Sequence, residues 1–281
     1  MAIHIVTDSP SDLSPEDAQR LNVQVIPMRV IFEDGVYLDG VDLTPHEFYQ
    51  KQASAQVLPR TTQVNPQEYC EIFQPLLENG DEVVAILMSS RLSGTFQSAT
   101  IAKELLEGGE RLHLVDSLNI TLAEGLLVKE AVRLREAGKS AEEIAAEVRT
   151  LVPRVKLLAF ISTLKYLKMG GRISASTAVL GGMLNISPVV SVIDGEVKSI
   201  GKIRGTQKGY QSTLDYVKHY PIDKNYPVMF GHAECLATME TYRDKCVEAL
   251  GIEEYDWGEV GTVIGTYSGP GCYGLAYIVQ E

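Results

Sequence analysis

Two clusters of hydroxyl side chains are the residues of this sequence best suited to chemistry. The first, Ser89–Thr95, stands between an apolar run that predicts a buried strand and an amphipathic run that predicts a helix. Ligands bind at the carboxyl ends of strands in α/β folds, and a helix N-terminus favours an anion. Ser93 is therefore a candidate donor to an anion, and Gly94 would let that anion approach the backbone. The alternative is that Ser93 only caps its helix.

The second cluster is the polar loop Arg60–Gln63, in which Thr61 and Thr62 are adjacent. A carboxylate has about four lone-pair sites, so roughly two or three hydroxyls and one backbone N–H would satisfy it. A buried carboxylate without partners would cost roughly several kcal/mol, so such donors must converge. The two clusters therefore predict a carboxylate site. The alternative is a turn whose hydroxyls bond only to their own backbone.

Ser93 is also a candidate nucleophile. A serine hydrolase would show a GxSxG motif, with a histidine and an acid elsewhere in the chain. Here the sequence around Ser93 reads Arg-Leu-Ser-Gly-Thr, and the downstream histidines His113, His219 and His232 stand in no recognisable motif. A serine-dependent acyl hydrolase is kept as the alternative function.

Metal and nucleotide sites are not expected. The five histidines show no HxxxH or HExxH spacing, and the four cysteines are far apart and form no CxxC pair. There is no GxGxxG after the first predicted strand and no GxxxxGK[ST]. We expect no metal and no cofactor, and the cysteine pattern favours a reducing, cytoplasmic compartment.

The charge is unevenly distributed along the chain. The net charge is −12, which disfavours nucleic acid as a partner. The segment Arg154–Lys208, in contrast, holds nine Lys and Arg and only two acids. This segment is either a docking face for an acidic or phosphorylated partner or a solvated basic surface.

Alternating short apolar runs and longer amphipathic runs predict an α/β fold. We expect strands at Val23–Phe32 and Val260–Gly265, a hairpin at Ser187–Ile193 and Val197–Gly201, and a loop at Leu58–Val64. The domain boundary is expected in the connection around Thr150–Lys156, so we place an N-terminal α/β domain at 1–153 and a C-terminal one at 154–281. No signal peptide is expected. The uncharged run Ile173–Ile193 is too polar and too interrupted for a membrane span, so no stable membrane insertion is expected.

Six motifs in register over the full length resemble the DegV family. They are Thr7-Asp8-Ser9 with Asp12-Leu13, Thr61-Thr62-Gln63, the run from Ser89 to Ala99, Val115-Asp116-Ser117, the run from Leu164 to Ile173 and the run from Ile264 to Gly271. The resemblance implies two α/β domains with a ligand-binding cleft between them that holds a long-chain fatty acid. It also implies a lipid-binding subunit of a bacterial fatty acid kinase, whose separate ATP-binding subunit phosphorylates the carboxylate to an acyl phosphate.

The resemblance also implies roles for individual residues. Thr61, Thr62 and Ser93, with the Gly94 amide, would hold the carboxylate, and the carrier would have no catalytic residue of its own. Three further residues would dock the kinase subunit or contact the acyl phosphate. They are Arg172, Arg204 and Tyr267. The run Ile173–Ile193 would supply part of an apolar tunnel wall, or else ordinary core.

Three positions depart from the family pattern. The loop usually reads Thr-Ser-Gln-Pro-Ser-Pro, whereas here it is Thr61-Thr62-Gln63-Val64-Asn65-Pro66, which keeps both leading hydroxyls. Pro10 stands where a small or hydroxyl residue is common. Tyr267 stands where a histidine is usual. A histidine titrates near neutral pH and can aid phosphoryl transfer, whereas a tyrosine side chain mostly donates a hydrogen bond.

Overall fold

The structure is a computed structural model that describes residues 2–173, 186–205 and 207–281. The strands are β1 (Ile3–Asp8), β2 (Val23–Ile26), β3 (Arg29–Phe32), β4 (Gly35–Leu38), β5 (Arg60–Thr62), β6 (Glu82–Leu87), β7 (Leu112–Asp116), β8 (Val155–Phe160), β9 (Ile186–Ile193), β10 (Glu196–Arg204), β11 (Val228–His232), β12 (Tyr255–Glu259) and β13 (Tyr273–Ile278). The helices are α1 (Pro15–Arg20), α2 (Pro45–Ser54), α3 (Pro66–Glu78), α4 (Thr95–Leu105), α5 (Thr121–Glu136), α6 (Ala141–Leu151), α7 (Lys165–Met169), α8 (Gln207–His219), α9 (Leu236–Leu250) and α10 (Thr262–Ser268).

The first half of the chain forms a parallel four-stranded sheet in the order β2-β1-β6-β7. Strand β6 is apolar almost throughout and almost wholly buried, as expected of a central parallel strand covered on both faces. The capping boxes at Thr44, Asn65 and Ser140 begin α2, α3 and α6 as their sequences predict. Parallel pairing directs the carboxyl ends of these strands to one edge, where the first hydroxyl cluster lies.

The second half forms a mixed six-stranded sheet in the order β10-β9-β8-β13-β11-β12. The predicted hairpin is confirmed as β9 and β10, which turn at Asp194 and Gly195 with positive φ angles. A third, three-stranded sheet has the order β4-β3-β5. The α/β class is thus confirmed. The larger sheets lie on either side of residue 154 in the sequence, which supports the division into 1–153 and 154–281, and that division remains a proposal.

The strand predicted at Val23–Phe32 is in fact two strands in different sheets. Strand β2 joins the parallel sheet and β3 the three-stranded sheet. Pro27 stands between them, and proline has no N–H to continue a ladder. The next residue, Met28, donates its N–H to Ser9 Oγ at 3.1 Å instead of to a strand. The proline was the sequence signal for this break.

The prediction of a strand at Val260–Gly265 is wrong, because helix α10 occupies most of this segment. Carboxylates from the first half cap the helix. Asp39 Oδ1 accepts from the Thr262 N–H at 3.0 Å and from its hydroxyl at 2.7 Å, and Asp12 Oδ1 accepts from the Gly261 N–H at 3.0 Å. Because its cap comes from more than 200 residues away, α10 lacks a local start signal.

The loop predicted at Leu58–Val64 contains a short strand. Residues Arg60–Thr62 pair with β3, with Thr61 opposite Val30. This pairing depends on the distant strand β3 and not on local propensity, so the sequence alone predicts only an exposed polar segment.

Two carboxyl groups, those of Asp8 and Glu124, are fully buried side by side beneath the carboxyl edge of the parallel sheet. Burial raises the pKa of Asp8 to about 6. Burial, and then the neighbouring Asp8 charge, raises the pKa of Glu124 well above its usual value. Asp8 accepts from the Met88 N–H at 3.2 Å, and Glu124 accepts from the Thr7 hydroxyl at 3.2 Å. The folded protein therefore binds protons at this pair more tightly than the unfolded chain does.

We expect Glu124→Gln to raise the free energy of unfolding at pH 8 by on the order of 1 kcal/mol, with little change at pH 5. A carboxyl whose pKa is raised by folding contributes most to stability at low pH, and that contribution is lost as pH rises from the ordinary glutamate pKa towards the raised pKa of Glu124 in the folded protein. Urea denaturation at several pH values between 5 and 8 measures this. Glu104→Gln, at an exposed position of α4, is the control and should leave the pH profile unchanged. Parallel profiles for Glu124→Gln and the wild type would contradict the expectation.

Candidate functional site

A cavity of about 600 Å³ lies between the first half of the chain and one face of the six-stranded sheet. Its floor is aliphatic and comes from alternate residues of adjacent strands. These are Leu157, Ala159 and Ile161 from the β8 region, Val190 and Val192 from β9, and Val197 from β10. Alternate strand residues share a face. Ala159 is only half-buried although β8 lies inside the sheet, because its side chain faces the cavity.

The opposite wall comes from residues that follow the parallel strands. Met28 follows β2, Met88 follows β6, and Ile120 and Leu122 lie where β7 leads into α5. This is the carboxyl edge of the parallel sheet, where the first hydroxyl cluster was expected to bind a ligand. The cavity is thus lined by both halves of the chain.

Six of the seven predicted site residues line this one cavity. They are Thr61, Thr62, Ser93, Gly94, Arg172 and Tyr267, and we call them the polar cluster. The seventh, Arg204, is exposed on the outermost strand β10 and is not among the residues that line the cavity.

Tyr267 connects two members of the polar cluster. Its hydroxyl forms a hydrogen bond with Thr61 Oγ1 at 2.7 Å. The Arg172 guanidinium lies 4.8 Å from the centroid of its ring and donates to the Gly170 carbonyl at 2.5 Å. A side chain at Gly170 would overlap the Tyr267 ring, so the glycine lets the ring lie against the backbone. Arg172 is therefore fixed between an aromatic face and a carbonyl, and brings its positive charge to the cavity.

Ser93 is not the N-cap of α4, because Gly94 occupies that position. Ser93 Oγ lies 2.9 Å from Thr95 Oγ1 and accepts from the Thr95 N–H at 3.3 Å. Ser93 Oγ thus still satisfies an N–H at the start of α4, as a capping side chain would. Its half-buried hydroxyl also lines the cavity.

The structure gives a reason for glycine at position 94 that the sequence does not reveal. A Cβ at this position would overlap the Gln63 side chain, whose Nε2 donates to Ser98 Oγ at 3.1 Å. Gln63 therefore lies across the start of α4 and joins the two hydroxyl clusters. The close approach that glycine permits here is made by Gln63.

Thr61 and Thr62 are successive residues of β5, and successive strand side chains point to opposite faces. Thr61 is half-buried against Tyr267, whereas Thr62 is exposed. The two hydroxyls therefore do not point in one direction, as a turn could have allowed. Both threonines line the cavity, but only the Thr61 hydroxyl is bonded there to Tyr267.

No histidine is near Ser93. All five histidines lie within the described residues and none lines the cavity. His4 is paired with Asp81 and His46 with Glu234, whereas His232 is buried behind Trp257. Within the described ranges, no group of three or more His, Cys, Asp or Glu side chains is placed to hold a metal ion. Among the residues that the structure describes, Thr95 is the only one whose side-chain hydroxyl is bonded to Ser93.

Sequence reasoning missed several lining residues. Val263 and Ile264 line the cavity from α10, where the sequence predicts a strand. Their spacing to Tyr267, at i+4 and i+3, was the helical signal. Arg91 also lines the cavity, from an exposed position, and no motif of the sequence indicates this role. Of the run Ile173–Ile193, Val190, Ser191 and Val192 line the cavity, whereas residues 174–185 lie outside the described residues.

In the part of the chain that the structure describes, no helix combines the length and apolarity needed to cross a bilayer.

Comparison with known proteins gives a consistent result. A family model described as "Uncharacterised protein, DegV family COG1307" matches residues 2–280. A DegV domain-containing protein of Caldanaerobacter subterraneus is 35% identical over 276 residues, covering 98% of each chain. A second, from Deinococcus radiodurans, is 34% identical over 281 residues, also covering 98% of each chain.

Solved structures agree in fold over the whole chain. A DegV family protein of Thermus thermophilus, described as fatty-acid binding, superposes with a TM-score of 0.89 at 33% identity and covers 100% of both chains. A stearic acid-binding protein of Eubacterium ventriosum superposes with a TM-score of 0.89 at 27% identity, covering 99% of this chain and 98% of its own.

Proposed function

This chain belongs to the DegV family, and on that premise we propose that it binds one long-chain fatty acid and presents the carboxylate to a separate ATP-dependent fatty acid kinase subunit. The observation that carries the proposal is one largely aliphatic cavity whose lining also includes the hydroxyls of the polar cluster and two arginines, Arg91 and Arg172. Solved relatives described as fatty-acid binding have the same fold.

The aliphatic part of the cavity suits an acyl chain. Its volume of about 600 Å³ is within the range of small-molecule sites. Each buried CH₂ contributes about 0.8 kcal/mol, so a long chain supplies most of the affinity. Valine, leucine and isoleucine side chains form no hydrogen bonds, so this part of the cavity would not stabilise a polar ligand.

The polar cluster suits the carboxylate. Thr61 and Ser93 can each donate one hydrogen bond, and the Gly94 amide lies at the start of α4, where the helix field favours an anion. Arg172 adds a fixed positive charge. Burying a carboxylate is costly unless such groups meet it.

The role of carrier fits the surroundings of Ser93. A serine nucleophile needs a neighbouring base, and the hydroxyl of Thr95 is not one. The phosphoryl transfer would then come from the kinase subunit. Arg204, with its exposed neighbours Lys202 and Lys208, would present positive charge to that partner.

We expect protein purified from cells, once denatured and extracted with organic solvent, to release one equivalent of a C14–C18 fatty acid by mass spectrometry. Ser93→Ala should weaken fatty-acid binding about 10-fold, since one hydrogen bond to a charged group is worth about 1.5–3 kcal/mol. Ser54→Ala, at an exposed position of α2, is the control. An empty extract from a protein that takes up no fatty acid on soaking would refute the proposal. Covalent labelling of Ser93 by a fluorophosphonate would favour the hydrolase.

The kinase role has its own test. With a DegV-dependent kinase subunit and ATP, we expect acyl phosphate that hydroxylamine traps as a hydroxamate. Arg204→Glu should slow this reaction about 10-fold, because reversing a surface charge opposes docking, while fatty-acid affinity stays the same. If Arg204→Glu forms the hydroxamate at the wild-type rate, Arg204 does not dock the partner.

A further inference from the structure

Each of the two hydroxyls best placed for the carboxylate has a second hydroxyl next to it. Tyr267 lies 2.7 Å from Thr61 Oγ1, and Thr95 Oγ1 lies 2.9 Å from Ser93 Oγ. These contacts come from different elements, since Thr95 begins α4 and Tyr267 belongs to α10. The same arrangement therefore occurs twice around one cavity.

Thr95 is not among the residues that line the cavity and is fully buried. Its hydroxyl has two neighbours, Ser93 Oγ and Met28 Sδ, the latter at 3.9 Å. A thioether sulfur is only a weak acceptor, so the Ser93 oxygen is the better acceptor for the Thr95 hydrogen. The Thr95 N–H also points to Ser93 Oγ, at 3.3 Å. Both donors of Thr95 therefore favour Ser93 as an acceptor.

The direction of the hydrogen bond within each pair of hydroxyls decides whether Ser93 or Thr61 still has a hydrogen to donate to a ligand. A hydroxyl has one hydrogen and can accept two hydrogen bonds. If Thr95 donates to Ser93, the hydrogen of Ser93 is free to point into the cavity. If Ser93 donates to Thr95, the Ser93 oxygen presents only lone pairs, which repel an anion. The same choice applies to Tyr267 and Thr61.

We propose that Thr95 and Tyr267 are positioning residues, which donate to Ser93 and Thr61 and so direct the hydrogens of those two side chains onto the carboxylate. The inference rests on the proposed fatty-acid binding and adds to it a basis for head-group selectivity. An ionised carboxylate only accepts hydrogen bonds and so receives both hydrogens. A fatty alcohol with the same tail brings no negative charge and gains less from the arrangement.

The test compares palmitate with 1-hexadecanol, which share a sixteen-carbon chain, on the full-length protein. Thr95→Val removes the buried hydroxyl, Thr95→Ser restores it, and Tyr267→Phe removes the other while keeping the ring that holds Arg172. We expect Thr95→Val and Tyr267→Phe each to weaken palmitate binding about 10-fold. Hexadecanol binding should change less than about 3-fold, and Thr95→Ser should bind palmitate like the wild type.

A spectroscopic readout separates positioning from a general loss of packing. In the complex with [1-¹³C]palmitate, the carboxyl resonance followed against pH gives the pKa of the bound acid. Hydrogen bonds to the ionised form lower that pKa, so both variants should titrate at higher pH than the wild type. Equal losses for palmitate and hexadecanol, or an unchanged carboxyl titration, would overturn the inference. A wild-type protein that binds no palmitate would instead refute the proposed function. If Thr95→Val does not fold, Tyr267→Phe decides, because Tyr267 is only half-buried.

Discussion

Val190→Trp is expected to abolish fatty-acid binding while the protein remains folded. Val190 faces the cavity from β9, and its partner on the adjacent strand is Ala159, which also lines the floor. An indole at this position would fill space that the acyl chain needs. Displacing roughly four CH₂ groups at about 0.8 kcal/mol each would weaken binding more than 100-fold. The measurement is calorimetric titration with palmitate, together with mass spectrometry of the extracted protein.

Ile193→Trp is the matched control for this substitution. Ile193 ends the same strand but is 39% exposed and is not among the residues that line the cavity. A tryptophan there should leave palmitate binding unchanged. Circular dichroism should show both variants folded. One equivalent of fatty acid extracted from Val190→Trp would show that the ligand lies elsewhere.

The sequence predicted best those features that depend on neighbouring residues. Helices α2, α3 and α6 begin at capping boxes that are complete within four residues, and the structure has all three. Short apolar runs such as Glu82–Leu87 are buried strands. These interactions are local, so composition and spacing are sufficient to reveal them.

The errors occur where distant residues determine the local structure. Helix α10 has its N-terminal N–H groups capped by Asp12 and Asp39, from the other half of the chain. Strand β5 exists because β3 lies beside it. Neither segment contains the residues that decide its conformation. Tertiary contacts therefore override local propensity in both.

The sequence predicts most of the residues that line the site, but not the hydrogen bonds and contacts between them. Hydroxyls before a helix indicated an anion, and six of the seven residues line one cavity. The hydrogen bond between Thr61 and Tyr267 joins positions 206 apart in sequence, and Gln63 packs on Gly94 from another element. Such pairings depend on the fold, so no spacing rule reveals them.

Gly274→Ala is expected to destabilise the protein by more than about 4 kcal/mol or to prevent folding. Gly274 lies on β13, with Ala159 of β8 on one side and Gly231 of β11 on the other. A Cβ there would overlap the Leu158 carbonyl oxygen and lie 2.9 Å from Ala159 Cα. Both contacts are backbone, which cannot move aside as a flexible side chain can. The two strands would have to separate in the middle of the six-stranded sheet.

Gly201→Ala makes the same chemical change where there is room for it. Gly201 lies on the edge strand β10, and the nearest atom that its Cβ would meet is Val189 Cβ at 4.0 Å. Urea denaturation should show a change within about 0.5 kcal/mol for this control, and equal stabilities for the two variants would contradict the argument. Gly274 also lines the cavity. The absence of a side chain there leaves the floor open down to the backbone. Glycine at this position therefore lets the strands approach each other and also leaves space for an acyl chain.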